Sequence, residues 1–166
     1  MYADPEKIKI GLLFSDTGAT SLIEASQKKG ALLAVKEINA NGGVLGKKLE
    51  IVRYDTQSDN RRFQEFARRL IKKDKVDVVF GAFSSASRES IRGIMEKNKM
   101  LYFYNNQNEG GVCSKTTYMT GAVPEQQFST LVPWMMEKYG KNVYTIAAVS
   151  TALSASSLEV IAFAAI

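Results

Sequence analysis

The sequence predicts an α/β fold: an open parallel sheet with helices on both faces. Three observations lead there. Short apolar runs of strand length, KIKIGLLF, KKLEIVRYD, VDVVFGAF and MLYFYNN, recur along the first two thirds of the chain. The segments between them repeat their apolar residues at helical spacing, and the connections are short. Alternation of this kind favours parallel neighbours joined by right-handed crossovers.

KIKIGLLF reads as the first strand, and SDTGATS, rich in turn formers, as its loop. From Ile23 to Ala40, Ala31, Leu32, Val35 and Ile38 recur on one helical face, with Lys28, Lys29, Lys36 and Glu37 on the other. NANGGV ends this helix, because Asn and Gly accept left-handed backbone conformations. KKLEIVRYD alternates and forms the second strand. A helix over 60–73 places Phe63, Phe66, Ala67 and Leu70 together. VDVVFGAF is apolar without alternation, as a strand covered on both faces should be. SASRESIRGIMEKNK is a helix led by serines, and MLYFYNN is another buried strand.

After Tyr104 the rhythm changes. Residues 105–117 form a polar loop longer than the usual connection, a length associated with function. YMTGAVPEQQ is extended and runs into a helix, EQQFSTLVPWMMEKYG, in which Pro133 kinks the element or marks a late start. KNVYTIAA is one more strand. The last segment, VSTALSASSLEVIAFAAI, carries one charge, Glu159, and reads as a low-complexity tail; an engineered scar or a chain cut and rejoined would leave the same pattern.

A chain of 166 residues is enough for one ordinary domain. Hydrophobic content of 45% and charged content of 23% place it with globular proteins. The net charge of +5 is spread among carboxylates, and the basic stretch Arg61 to Lys75 alternates with apolar positions, so it reads as a solvated helix face and no nucleic-acid partner is expected. With no histidine, Ser-His and Cys-His couples and imidazole metal sites are excluded. The single cysteine, Cys113, allows no internal disulfide and no thiolate zinc site, and no cofactor is expected. MYADPEKIKI has neither a basic region nor an apolar core, so it does not read as a secretory signal. No apolar run approaches the roughly 20 residues of a membrane span.

The candidate site is GAFSSASRESI, residues 81–91. In an open parallel sheet, ligands sit outside the carboxyl ends of the strands, where loops diverge and helix amino termini point. Ser84, Ser85 and Ser87 lie at that edge. One of them should cap the helix that follows, which accounts for a single serine. The others, with the helix amides, would offer donors to a carbonyl or carboxylate oxygen, although capping and nothing more is the plainer alternative. The next strand places Tyr104, Asn105, Asn106 and Gln107 at the same rim, and groups that both donate and accept suit a small neutral polar ligand. Ser15, Asp16, Thr17 and Gly18 would be a third wall.

Other motifs are weaker. Gly-Lys-Ser/Thr and Gly-x-Gly-x-x-Gly are both missing, which argues against nucleotide binding. Asp16, Asp55 and Asp77 follow or lie in strands, as in magnesium-dependent phosphoacceptor domains; Asp16 and Asp55 could meet, but no lysine stands at a matching strand end. The methionines read as core.

KIKIGLLFSDTGATSLIEASQKKGALLAVKEINANGGVLGKKLEIVRYDTQSD, VDVVFGAFSSASRESIRGIMEKNKMLYFYNNQNEGG and GAVPEQQFSTLVPWMMEKYGKNVYTIAA together resemble the amino-terminal part of a type I periplasmic solute-binding protein of the branched-chain amino acid group, and more closely its urea and short-chain amide branch. The resemblance covers residues 7–148. It implies the periplasmic binding protein-like I fold, truncated to its first lobe: residues 1–121 as the first ligand-binding lobe, 122–148 as the hinge crossing and start of the second, and 149–166 as an atypical Ala/Ser-rich tail. Such proteins close two lobes on a ligand. By resemblance the contacts from this half are Phe83 and Ser85, then Tyr104, Asn106 and Gln107, with Ser84 and Asn105 beside them. YNNQ stands where amino acid receptors usually have Ser-Pro-x-Ala-Thr, which points to an amide or urea.

The resemblance therefore implies a non-enzymatic, periplasmic receptor that delivers urea or a short-chain amide to the membrane permease of an ABC importer. A cytosolic amide-sensing regulator and a branched-chain amino acid receptor are the alternatives; an amidohydrolase lacks a convincing nucleophile and base. A sheet edge left bare by truncation could let the chain dimerise.

Overall fold

A computed structural model describes residues 7–148 and 159–165. The chain divides into two units, the first made of residues 1–106 and 112–120, the second of 107–111 and 121–166.

The first unit is a five-stranded parallel sheet in the order β2-β1-β3-β4-β5. Its strands are β1 (Lys7–Phe14), β2 (Lys48–Asp55), β3 (Val78–Gly81), β4 (Leu101–Tyr104) and β5 (Thr117–Met119). Between them run α1 (Ser21–Ala40), α2 (Asn60–Arg69) with a π-helical last turn over Leu70–Asp74, and α3 (Ser85–Lys97). The α/β sheet expected from the strand-helix rhythm is thus present, and the extended segment before the last helix supplies its fifth strand.

Side-chain alternation along β1 explains the two-sided burial. Ile10, Leu12 and Phe14 join Leu49 in one cluster, against which Ala31, Leu32 and Val35 of α1 pack. Leu13 points the other way, into a larger cluster with Phe63, Ala67 and Leu70 from α2, Ile91 and Met95 from α3, and Tyr102 and Tyr104 from β4. Successive side chains of a strand face opposite sides, so a strand between two helix layers must be apolar on both. Each buried large side chain in these clusters contributes about 1.5–3 kcal/mol relative to exposure.

The element ends follow local chemistry. Asn41, Gly42 and Gly43 end α1, the glycines at φ of 100° and 86°, and the Gly43 amide donates to Ile38 O. The Asn39 side chain then bonds both Leu49 N–H and Leu49 O, at 2.7 and 2.8 Å, serving as a partner for edge strand β2. Asp59 caps α2 by accepting from the amides of Arg61 and Arg62. Left-handed Lys75, at φ 55°, stops the π-helical turn.

Strand β3 is shorter than its apolar run. Gly81 and Ala82 have φ of 116° and 70°, which takes the chain out of the ladder. Tyr102 Oη donates to Gly81 O at 3.0 Å, and Ala82 N–H donates to Leu13 O at 2.7 Å. A Cβ on Gly81 would lie 2.4 Å from Leu13 O.

In the second unit, α4 (Pro124–Tyr139) begins with Pro at its first position, and Gln126 Oε1 accepts from Val123 N–H at 3.0 Å. The helix runs from Pro124 through Pro133, so Pro133 does not mark a late start. Strands β6 (Val143–Ala148) and β7 (Glu159–Ala165) pair antiparallel. Within the segment read as a low-complexity tail, residues 159–165 form β7, while 149–158 and 166 lie outside the described residues.

The Gly81 geometry can be checked. Gly81→Ala should destabilise the protein by about 2 kcal/mol or more, because the new methyl group meets a backbone carbonyl at a φ that L-residues resist. Urea unfolding followed by far-UV circular dichroism measures the loss.

Candidate functional site

The strand order places β2 on one side of β1 and β3 on the other, so the chain reverses its direction of winding between β1 and β3. Loops leaving these strands at their carboxyl ends diverge there, and α1 and α3 begin there with their amide ends.

The loop after β1 is held by buried polar bonds. Ser15, 1% exposed, shares a 2.8 Å hydrogen bond with Thr56 and accepts from Ser58 N–H at 2.9 Å. Glu24, fully buried at the start of α1, accepts from Ser15 N–H at 2.8 Å and from the Thr20 hydroxyl at 2.5 Å. Thr20 N–H donates to Ser58 Oγ at 3.0 Å. Ser15 was expected to line the crevice; instead it ties the β1 loop to the β2 loop. Asp16, Thr17 and Gly18 are exposed at that end.

Asp16 and Asp55 meet, but not as paired cation ligands. Asp55 accepts from the amides of Asp16, Thr17 and Gln57 and from the Thr17 hydroxyl, at 2.7–3.2 Å. Asp16 pairs with Lys28 and, at 3.4 Å, with Arg53. Among the described residues no group of three His, Cys, Asp or Glu could hold a metal ion.

The serine row divides by role. Ser84 occupies the N-cap of α3, yet its side chain makes no capping bond, contrary to the expected cap; the helix is opened by Arg88 N–H donating to Ser84 O. Ser87, 5% exposed, directs its hydroxyl at Asn60 Oδ1, 2.9 Å, and Phe83 O, 3.1 Å, fastening α3 to the start of α2. Ser85 opens the helix and is half-buried. Its Oγ accepts from Arg88 Nη1 at 3.4 Å, and among the described residues its own proton has no acceptor. Phe83 and Ser84 are likewise half-buried beside it.

The second rim divides too. Asn105 is exposed. Tyr104 is 1% exposed and belongs to the core cluster, its ring lying 5.0 Å below the Arg88 guanidinium. Asn106 is buried, with its amide nitrogen donating to Ala82 O at 2.9 Å and to Gln27 Oε1 at 3.3 Å, while Gln27 donates back to Asn106 Oδ1. Gln107 is exposed and falls in the second unit. The structure thus brings Phe83, Ser84 and Ser85 together on one half-buried turn and sets the buried Tyr104 and Asn106 behind it as support. Sequence reading missed Arg88, Glu24 and Gln27. Arg88 carried a signal, since a residue three positions after Ser85 shares its helix face.

Two carboxyl groups of the first loop are driven in opposite directions. Burial pushes Glu24 above the ordinary carboxylate range, outweighing its bonds from Thr20 and Ser15, with Asp55 adding repulsion. For Asp55 burial also favours the neutral form, but the Thr17 hydroxyl, the amides of Gln57 and Thr17 and the charge of Arg62 prevail and hold it low.

The first unit is an open parallel α/β lobe with small hydroxyls beside its winding reversal. Residues 8–150 match the periplasmic binding protein domain family, and the chain belongs to that family. It is 38% identical over 96 residues to Leu/Ile/Val-binding protein homolog 7 of Brucella melitensis biotype 1, covering 58% of this chain and 24% of that protein. Homolog 8 of Brucella abortus is 35% identical over the same length. Among solved structures, the branched-chain amino acid transporter substrate-binding protein LivJ of Streptococcus pneumoniae, in complex with isoleucine, superposes with a TM-score of 0.72 at 26% identity, covering 80% of this chain and 39% of that one. The leucine-binding protein LivK of Thermotoga maritima gives 0.68 at 25% identity, covering 80% and 38%. The chain spans about a quarter of the length of these curated relatives.

Glu24 offers a pH test. Its folded pKa lies above the unfolded one, so the native state binds the proton more tightly. Its contribution is fully present below the ordinary carboxylate pKa and is lost as pH rises through the folded value. Glu24→Gln should therefore gain stability relative to the parent as pH rises from 4 to 7, and paired urea titrations across that range measure the difference.

Proposed function

We propose that residues 1–121 are the solute-gripping first lobe of a periplasmic receptor that delivers a branched-chain amino acid to the membrane permease of an ABC importer, with 122–148 as the crossing and start of the second lobe. The role is binding without chemistry. One observation carries the reading: among the described residues Ser84 makes no side-chain capping bond and the Ser85 proton has no acceptor, and both stand at the amide end of α3 beside the winding reversal. Hydroxyls not spent on the fold, set on a helix amino terminus, are suited to a ligand oxygen. Phe83 supplies an apolar neighbour and Asn105 a second polar one.

The names of the relatives favour the amino acid alternative over the urea or amide reading taken from YNNQ. The burial of Asn106 agrees with that shift, because its amide is committed to Ala82 O and Gln27 rather than offered outward.

The test is a titration of the 15N-labelled chain with leucine, isoleucine, valine, acetamide and urea, followed by amide chemical shifts. Leucine, isoleucine or valine should move the amides of residues 83–86, and Ser85→Ala should weaken that binding about fivefold, the equivalent of about 1 kcal/mol for one lost hydrogen bond. Shifts with acetamide or urea alone would return the site to an amide receptor, and no shifts with any of the five would remove the binding role.

A further inference from the structure

We infer that the amino edge of the five-stranded sheet is a docking surface for an anionic phospholipid bilayer, with Leu45 entering the headgroup layer and the lysines ahead of the strands lying against lipid phosphates. The inference goes beyond the solute-binding role and does not depend on which solute the opposite edge receives.

Along the sequence the lysines are scattered among carboxylates, but the topology sorts them. All five strands are parallel, so their first residues share one edge. Lys7 and Lys48 open β1 and β2, and Lys75, Lys99 and Lys115 stand two or three residues ahead of β3, β4 and β5. Lys72, Lys73 and Lys97, at the ends of the helices that return to this edge, and Lys47 join the row. Every one of these lysines is exposed. With neighbouring strands about 4.8 Å apart, the row extends about 19 Å.

The carboxylates nearest them are fewer. Glu50 pairs with Lys7 at 3.1 Å, Asp74 accepts from Tyr54 Oη at 2.8 Å, Asp77 accepts from Lys9 N–H at 2.8 Å and Glu96 pairs with Arg92 at 3.0 Å, while Glu37 is exposed in the last turn of α1. Among the described residues Lys47, Lys72, Lys73, Lys97, Lys99 and Lys115 enter no ion pair. Cations suit the carbonyl end of a helix, which accounts for Lys72, Lys73 and Lys97. It does not account for Lys47 and Lys115, which lie in loops.

A second observation comes from the turn ahead of β2. Val44 N–H donates to Lys47 O and Lys47 N–H to Val44 O, both at 2.9 Å, and the two residues between them, Leu45 and Gly46, have φ of 51° and 78°. Turns with two positive φ values favour Asn, Asp or Gly, so the backbone disfavours a leucine here. Packing gives no compensation, because Leu45 is 95% exposed. Single exposed leucines are ordinary. This one is held outward on a short turn where the fold would gain from another residue, directly beside Lys47 and Lys48, and such an outlier points to function.

A lone apolar tip flanked by lysines matches a bilayer interface, where the side chain enters the boundary of headgroups and acyl chains and the ammonium groups stay at the phosphates. Lysines are flexible point charges without the planar fork by which arginine grips one carboxylate or phosphate, so the row suits a fluid field of phosphates. An acidic protein would instead need a pocket shaped to Leu45. The turn at residues 83–85 lies at the other end of the strands and stays uncovered when the amino edge is docked.

The experiment mixes the chain with vesicles of phosphatidylcholine alone, or of phosphatidylcholine with one third phosphatidylglycerol, and measures the bound fraction by co-sedimentation. The chain should bind the anionic vesicles, lose that binding as salt rises, and leave the neutral ones free. Leu45→Asn, which suits the turn and keeps the fold, should weaken binding about fivefold. Lys47→Gln/Lys115→Gln should weaken it about twentyfold, at about fivefold per lysine. Lys29→Gln/Arg61→Gln removes the same charge from exposed positions away from this edge and should weaken it by at most about threefold.

Equal losses for the two charge pairs would mean that net charge alone draws the chain to the vesicles, and would overturn the inference. Undiminished binding by Leu45→Asn, equal binding to neutral vesicles, or no binding at all would overturn it too. Polyglutamate bound as tightly as the anionic vesicles would assign the edge to an acidic protein, with the same consequence. A chain that binds vesicles but no solute loses the proposed function and keeps this surface; one that binds solute but not vesicles loses this surface alone.

Discussion

The turn at the end of β3 depends on a clamp around Gly81 and Ala82. Two consecutive residues are held at positive φ, one of them an alanine, and that costs free energy. The surrounding bonds offset it: Tyr102 Oη reaches Gly81 O, Ala82 N–H reaches Leu13 O, and the Asn106 amide reaches Ala82 O. Each comes from a neighbouring strand or its end, so the bend is determined by the sheet and not by the loop. Phe83, Ser84 and Ser85 follow directly on a turn whose base is hydrogen-bonded to β1, to β4 and to Asn106.

The same logic explains the polarity of the neighbouring loop. Ser15, Glu24 and Thr56, all buried, and half-buried Thr20 and Ser58 form one hydrogen-bonded cluster between the ends of β1 and β2. A buried carboxylate is an expensive way to satisfy an amide and a hydroxyl, and its raised pKa records that cost. An apolar substitute would leave Ser15 N–H unpaired in the interior, which is costlier still to the geometry of the loop. Polar side chains at the carboxyl edge of this sheet are thus mainly internal supports.

This division also explains what could be read from the sequence. Strand and helix order was legible because apolar periodicity is a local property: β1 matches KIKIGLLF residue for residue, and β2 begins one residue inside its predicted run. Where β3 ends was not legible, since left-handed Ala82 is imposed by bonds from residues far along the chain. Nor was the fate of individual polar residues. Ser15, Ser85 and Ser87 look alike in the sequence, yet two are consumed by Thr56, Ser58, Asn60 and the Phe83 carbonyl, and one is not. Tyr104 and Asn106 look like rim residues because they close an apolar run. The alternation of β4 instead turns Tyr104 inward beside Tyr102, and Ala82 O draws in Asn106.

A candidate binding group in such a lobe is therefore recognised by subtraction. Every hydroxyl and amide near the winding reversal is assigned first to the bonds that hold backbone in place, because a buried donor without a partner would destabilise the fold by more than a weak ligand contact could return. Among the described residues, the groups left unspent at the ends of β3 and β4 include the proton of Ser85, the side chain of Ser84 and exposed Asn105. Ser84 and Ser85 stand at the amide end of α3, where the unpaired backbone N–H groups carry partial positive charge. Arg88, which lies over the Tyr104 ring and donates to Ser85 Oγ, links the core packing around Tyr104 to the half-buried turn that opens α3.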